Sequence, residues 1–177
     1  MTARSILLLL TVALVPAVLA AEPDAGAARG PSISASLKDR QGRVVGTLAI
    51  AETPHGLLVR GTIDGLPAGP HALHFHEVGK CEPPFTSAGG HFNPGQKSHG
   101  VLTQNGPHAG DLPNLVVPAS GKLDFELFAP GLTLSTGPTA VLDADGSAVV
   151  IHAKADDHQS QPAGDSGDRI ACAVVAR

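Results

Sequence analysis

The chain has 177 residues, 42% of them hydrophobic and 16% charged, with a formal net charge of -4; that length allows one domain with its own core. Gly and Pro number 21 and 15, about a fifth of the chain, which argues against a helical bundle or coiled coil. The mild negative charge without a basic block, and the absence of Tyr and Trp, argue against a nucleic-acid binder on electrostatic and stacking grounds alike.

At the N-terminus, Arg4 precedes an apolar run from Ile6 to Val15, and small residues follow to Ala20 and Ala21. Charged, apolar and small-residue regions in that order predict a secretory signal peptide over residues 1–20, cleaved after Ala20. An apolar run of about ten residues, ended by Pro16, is too short for a transmembrane anchor. Cleavage removes Arg4, the only charge in the leader, so the mature chain is one unit more negative. Residues 21–31 are small, polar and rich in breakers, and read as a loose tail.

The remainder, 32–177, reads as one domain. Strand-like runs cover 32–38, 43–51, 56–63, 71–78, 114–117, 121–128, 147–152 and 169–176. The clearest is Lys122-Leu123-Asp124-Phe125-Glu126-Leu127, apolar on one face and charged on the other. Eight short strands between Gly/Pro turns predict an all-β, antiparallel sandwich or barrel. Two connections, 79–113 and 153–168, are too long for simple turns, and loops of that size in a compact domain usually carry function. Cys81 and Cys172 are the only cysteines. Two buried thiols are the alternative, but export favours a disulfide. Its closure of a loop 91 positions long would restrict the unfolded chain by about 4–5 kcal/mol in the chain-entropy picture.

Nine histidines are the unusual feature, and six of them fall between 71 and 108. In Leu73-His74-Phe75-His76 the strand period puts both rings on one face, where they can share a metal ion, although the pair by itself is a weak signal that incidental surface histidines also produce. His99, His108 and Asp111 form a second candidate set with a carboxylate that suits zinc. So many neutral imidazoles close together need a metal to satisfy their nitrogens.

Five segments carry a resemblance. His71-Ala72-Leu73-His74-Phe75-His76-Glu77-Val78-Gly79 resembles the copper-binding strand of the copper/zinc superoxide dismutases. Thr86-Ser87-Ala88-Gly89-Gly90-His91-Phe92-Asn93-Pro94 is similar to the segment of that family with the metal-bridging histidine. His108-Ala109-Gly110-Asp111-Leu112-Pro113 resembles its zinc segment, and His152-Ala153-Lys154-Ala155-Asp156-Asp157 its second copper strand end. Gly167-Asp168-Arg169-Ile170-Ala171-Cys172 is similar to the closing segment with the active-site arginine and second cysteine. The segments run in order over nearly the whole mature chain.

The resemblance implies an eight-stranded Greek-key sandwich or barrel and one copper and one zinc ion per chain. It implies copper held by His74, His76, His91 and His152, and zinc held by His91, His99, His108 and Asp111, with His91 bridging the two. Four imidazoles suit both copper oxidation states, and three imidazoles with a carboxylate close a tetrahedral zinc site. Asp156 resembles the carboxylate that orients one ring of each set, here His74 and His99. Arg169 resembles the cation that guides the anionic substrate, superoxide. His71 resembles a histidine that pins two backbone segments, while His55, His158, Glu77 and Asp157 read as surface residues. The implied activity is dismutation of superoxide to oxygen and hydrogen peroxide. Its rival is a non-catalytic periplasmic copper/zinc-binding protein of the same fold. The insert Glu82-Pro83-Pro84-Phe85 between Cys81 and His91 resembles the secreted bacterial branch, implying a periplasmic location and leaving monomer and homodimer both open.

Overall fold

Period-two alternation sets the first three strands, and the sheet grows outward from them. The computed structural model describes residues 30–177; the predicted signal peptide and nearly all of the tail 21–31 lie outside the described residues. Strand β1 (Ser32–Asp39) pairs with β2 (Val44–Thr53), and β2 with β3 (Gly56–Asp64), in an antiparallel meander. The chain then makes β4 (Gly69–His71), β5 (Leu73–His76) and β6 (Leu115–Val117) before β7 (Lys122–Pro130) returns to pair with β3. Strands β8 (Ser147–His152) and β9 (Arg169–Val175) complete the sheet, with β9 beside β1. The seven-stranded order is β5-β8-β9-β1-β2-β3-β7, with β4 and β6 as a separate pair. Non-sequential neighbours on both sides of the meander make this a Greek-key arrangement, and among the described residues the one helical element is a 3-10 turn, Thr86–Ala88.

The run 71–78 is two strands where the sequence suggests one. At Ala72 the backbone changes partners: His71 pairs with Leu115, whereas Leu73 pairs with Ile151. Ala72 itself is held by Lys154 and His152, through hydrogen bonds of 2.8 and 3.0 Å. The element moves the chain from one sheet to the other at that residue.

Leu37, Leu48, Ile50, Leu57, Val59, Phe75, Val149 and Ile151 form the main core. Gly61 is part of its packing, because a Cβ there would overlap the ring of Phe125 on the neighbouring strand. The connection 131–146 also contributes, burying Leu132, Leu134 and Val141. Strands β5 and β8 are buried along their whole length, unlike the half-exposed β7. One of their faces meets the core and the other is covered by the long loops, so both faces must avoid water. A second apolar cluster of Phe85, Ala88, Ala148, Val150 and Cys172 sits under that cover. It leaves the loop-covered face of β5 to His74 and His76.

Candidate metal centre

Strand β5 gathers the site by pairing with loop segments on its free side. Isolated bridges join His76 to His91 and His74 to Asp111. Three backbone hydrogen bonds tie the segments together: Phe92 to Phe75 at 2.8 Å, and Phe75 to Gly110 and Gly110 to Phe92 at 2.9 Å each. Gly110 is required here, because a Cβ would overlap the Phe75 carbonyl. His152 arrives at the end of β8, next in the sheet.

Seven of the predicted site residues therefore converge. His74, His76, His91 and His152 form one group, and His91, His99, His108 and Asp111 another, each with its ligand atoms within 4.8 Å of one another. His91 belongs to both. In the first group each ring has one nitrogen engaged by the protein. His76 Nδ1 reaches the Gly89 carbonyl at 3.1 Å, His152 Nδ1 the Gly167 carbonyl at 3.2 Å, and His74 Nε2 the Asp156 carboxylate at 2.8 Å. The remaining nitrogens, His74 Nδ1, His76 Nε2, His91 Nε2 and His152 Nε2, are buried without any hydrogen-bond partner. Four unpartnered imidazole nitrogens in one buried space are costly unless a cation accepts their lone pairs. The donor set therefore fits a metal of the copper type.

The second group passes a geometric test as well. His91 Nδ1 and His108 Nδ1 lie 2.9 and 3.3 Å from Asp111 Oδ1, His99 Nδ1 lies 3.1 Å from Oδ2, and the two ring nitrogens of His91 and His108 are 3.3 Å apart. Ligands about 2.0–2.1 Å from a tetrahedral ion stand about 3.3 Å from each other. His108 is the ring nearest solvent, facing a cleft of about 300 Å³ that Lys97 also lines.

Burial keeps these rings neutral and ready to ligate. It pushes His74 down to about 4, His152 to about 3 and His76 to about 2, with the His91 ring adding to the effect at all three. His108 is lowered for the same reason. For Asp111 and Asp156 burial acts upward, but hydrogen bonds outweigh it, chiefly from His91 to Asp111 and from His74 and His99 to Asp156. Both carboxyls lie well below the usual carboxylate range and stay charged.

A family profile described as copper/zinc superoxide dismutase matches residues 44–175. The chain belongs to that family. It is 42% identical over 148 residues to a copper-zinc superoxide dismutase of Caulobacter vibrioides, covering 81% of this chain and 85% of that protein. A second such protein, from Aquifex aeolicus, is 43% identical over 144 residues, covering 80% and 84%. Among solved structures, a superoxide dismutase-like protein from Bacillus subtilis superposes with a TM-score of 0.78 at 41% identity, covering 80% of this chain and 97% of that one.

In this superoxide dismutase-family chain Arg169 stands at the edge of the first group. Its guanidinium donates to the carbonyls of Phe85 and Gly89, both at 2.6 Å. The Gly89 carbonyl is the one His76 also uses, and the Arg169 charge helps lower His76 and His152. Cys81 and Cys172 form a disulfide with a Cα separation of 5.7 Å, tying the loop that carries His91 to β9. Asp156, fully buried, accepts from His74 Nε2 at 2.8 Å and from His99 Nε2 at 2.9 Å. Gly164 (φ 68°) crosses directly over that pair, where a Cβ would overlap the Asp156 carboxylate. His71 links the carbonyls of His152 and Pro67, at 2.8 and 2.9 Å.

Two residues read as surface groups also brace the site: His158 is half-buried, whereas Glu77 is on the surface as expected. His158 donates its backbone N–H to Asp156 Oδ1 at 2.6 Å, and its ring receives a hydrogen bond from Asn114 at 3.2 Å. Asn114 in turn brackets the Asp156 backbone, giving to its carbonyl at 2.9 Å and taking its N–H at 2.8 Å. Glu77 accepts the Gly90 N–H at 2.9 Å and lies against Gly89, steadying the segment that leads to His91. Glu77 and the His158 ring find their partners elsewhere in the chain, so no local pattern signals those contacts, whereas the His158 N–H closes a turn onto Asp156 two residues before it. His55, by contrast, is exposed on the β2–β3 turn.

Proposed function

We propose that this protein is an exported copper/zinc superoxide dismutase of the bacterial periplasm, with copper on His74, His76, His91 and His152 and zinc on His91, His99, His108 and Asp111. When bound, the copper supplies the redox chemistry, oxidising one superoxide to oxygen and reducing a second, with two protons, to hydrogen peroxide. The protein supplies the rest. Arg169 draws the small anion to the copper side with a permanently charged fork. His91 holds and releases a proton at Nε2 between the two half-reactions. Asp156 fixes the proton on Nε2 of His74 and His99, which turns Nδ1 of each ring toward its metal. Asp111 offsets positive charge on the zinc side.

One observation carries this reading: four unpartnered imidazole nitrogens share a buried space with an arginine held at its edge. The experiment is metal analysis of the exported protein together with a superoxide-consumption assay. About one copper and one zinc per chain, with activity lost on copper removal, is the expected result. A second reading, a non-catalytic metal-binding protein of the same fold, takes its support from the similarity to a protein described only as superoxide dismutase-like. Bound metal without superoxide consumption would favour it.

A further inference from the structure

We infer that Arg40, on the turn between β1 and β2, is a positioning residue that holds Arg169 where it can guide an anion to the copper. The inference rests on the proposed guiding role of Arg169 and adds a residue that neither the sequence pattern nor the family resemblance singles out. Arg40 Nε donates to the Arg169 carbonyl at 2.7 Å, and its Nη2 pairs with Asp168 Oδ2 at 3.2 Å.

The backbone explains why a side chain is needed there. The ladder between β1 and β9 pairs Lys38 with Cys172 and Asp39 with Ala171, and then β1 turns away. On its other side β9 remains tied down, with Arg169 paired to His152 and the Asp168 carbonyl bonded to the Ala153 N–H at 2.7 Å. The Arg169 carbonyl therefore faces a gap in the ladder, and Arg40 fills it.

The turn is built to aim that side chain. Buried Asp39 accepts the backbone N–H groups of Gln41 and Arg43, each at 2.9 Å, and the Arg43 Nε at 2.7 Å. Its own backbone exchanges hydrogen bonds of 3.0 Å with Arg43 and Gly42. Gly42 takes the positive φ of 79° that closes the turn. Arg169 is thus clamped at both ends, its carbonyl by Arg40 and its guanidinium by the Phe85 and Gly89 carbonyls. A carbonyl and a carboxylate in two directions suit a guanidinium fork, which meets them from two separate nitrogens in fixed geometry, whereas an ammonium has a single nitrogen to place between them.

Arg40 also neutralises Asp168, whose side chain is 76% exposed one residue from Arg169. The ion pair adds little net field of its own, so the two effects must be separated by experiment. Azide serves as the anionic probe, with its affinity for copper in the fully metallated protein read from the absorption spectrum. Arg40→Gln should weaken azide binding about threefold to tenfold, the scale of one net hydrogen bond, with copper and zinc content unchanged. The loss should persist in Arg40→Gln/Asp168→Asn, where charge balance is restored. It should vanish in an Arg169→Ala background, because Arg40 acts through Arg169. Arg40→Lys, which keeps the charge, should still bind azide more weakly than wild type, and it provides the readout if the Gln variant does not fold. Wild-type affinity in Arg40→Gln, full recovery in the double variant, or an equal loss in the Arg169→Ala background would overturn the inference. Wild-type azide affinity in Arg169→Ala would overturn the guiding role itself, and this inference with it.

Discussion

Asp156→Asn removes one charge and almost no volume, which makes it a sharp test of how the two ligand sets are oriented. The native carboxylate accepts from both His74 Nε2 and His99 Nε2, at 2.8 and 2.9 Å, with side chains that are fully buried. An asparagine offers one oxygen and one NH₂ group, so it can accept from only one of the two rings. The other ring then meets donor against donor. It must move its proton to Nδ1, the nitrogen that faces the metal, or leave a buried N–H unpaired. A buried charge-assisted hydrogen bond contributes about 1.5–3 kcal/mol, and losing such a contact to a ligating histidine lowers metal affinity about 10- to 100-fold. Chelator competition, run separately for copper and zinc, should therefore show one affinity reduced on that scale and the other nearly retained. Asp156→Ala should reduce both. If Asp156→Asn bound copper and zinc with wild-type affinities, the carboxylate would have no orienting role.

His91→Ala should weaken both metals together, since only His91 joins the two groups; metal analysis showing a normal copper spectrum would refute the bridge. Arg169→Glu should cut kcat/KM about tenfold or more and abolish the fall of rate with ionic strength, with metal content intact; stopped-flow assays across salt concentrations decide it. Cys172→Ser removes a bridge spanning 91 positions and should lower stability by about 2–5 kcal/mol, measured by denaturant unfolding. Metal-free protein should lose stability as pH falls from about 6.5. Burial holds His74 near 4, His152 near 3 and His76 near 2, so the unfolded chain takes up protons that the folded state refuses. Each ring contributes up to about 1.4 kcal/mol per pH unit in that window, and a flat Tm between pH 7.5 and 5 would contradict the neutral buried rings.

Local pattern makes part of this molecule readable and tertiary contact makes the rest. The alternation in Lys122–Leu127 reports a strand with one wet face, and β7 is such a strand. His74 and His76 are legible as a pair because strand period alone puts them on one face. The break at Ala72 is not legible, because it arises where the backbone exchanges β6 for β8. Leu132, Leu134 and Val141 lie in an irregular segment without period, so their burial follows only from the core they join in the fold. Arg40, 129 positions from Arg169, and Asn114, 42 positions from Asp156, carry no signal in their own neighbourhoods. Motifs report the candidate ligands, together with Asp156 and His71, whereas Arg40 and Asn114 are chosen by proximity in the fold.

That division shows how the protein itself orients the rings of the centre. A histidine free to rotate presents either nitrogen, and fixing it costs rotamer entropy. Here the Gly89 and Gly167 carbonyls and the Asp156 carboxylate take the opposite nitrogen of His76, His152 and His74. Two of these three acceptors come from glycines, where the chain can pass close to the rings. Gly89 then acts twice, since its carbonyl holds Arg169 as well. A shift of that one peptide would move the bond that sets the His76 tautomer and the Arg169 guanidinium together. The disulfide from Cys81 to Cys172 and the Glu77–Gly90 hydrogen bond both restrain that segment. With the roles proposed for His76 and Arg169, copper affinity and anion attraction would be coupled through the Gly89 carbonyl, so variants that loosen this segment should lower both.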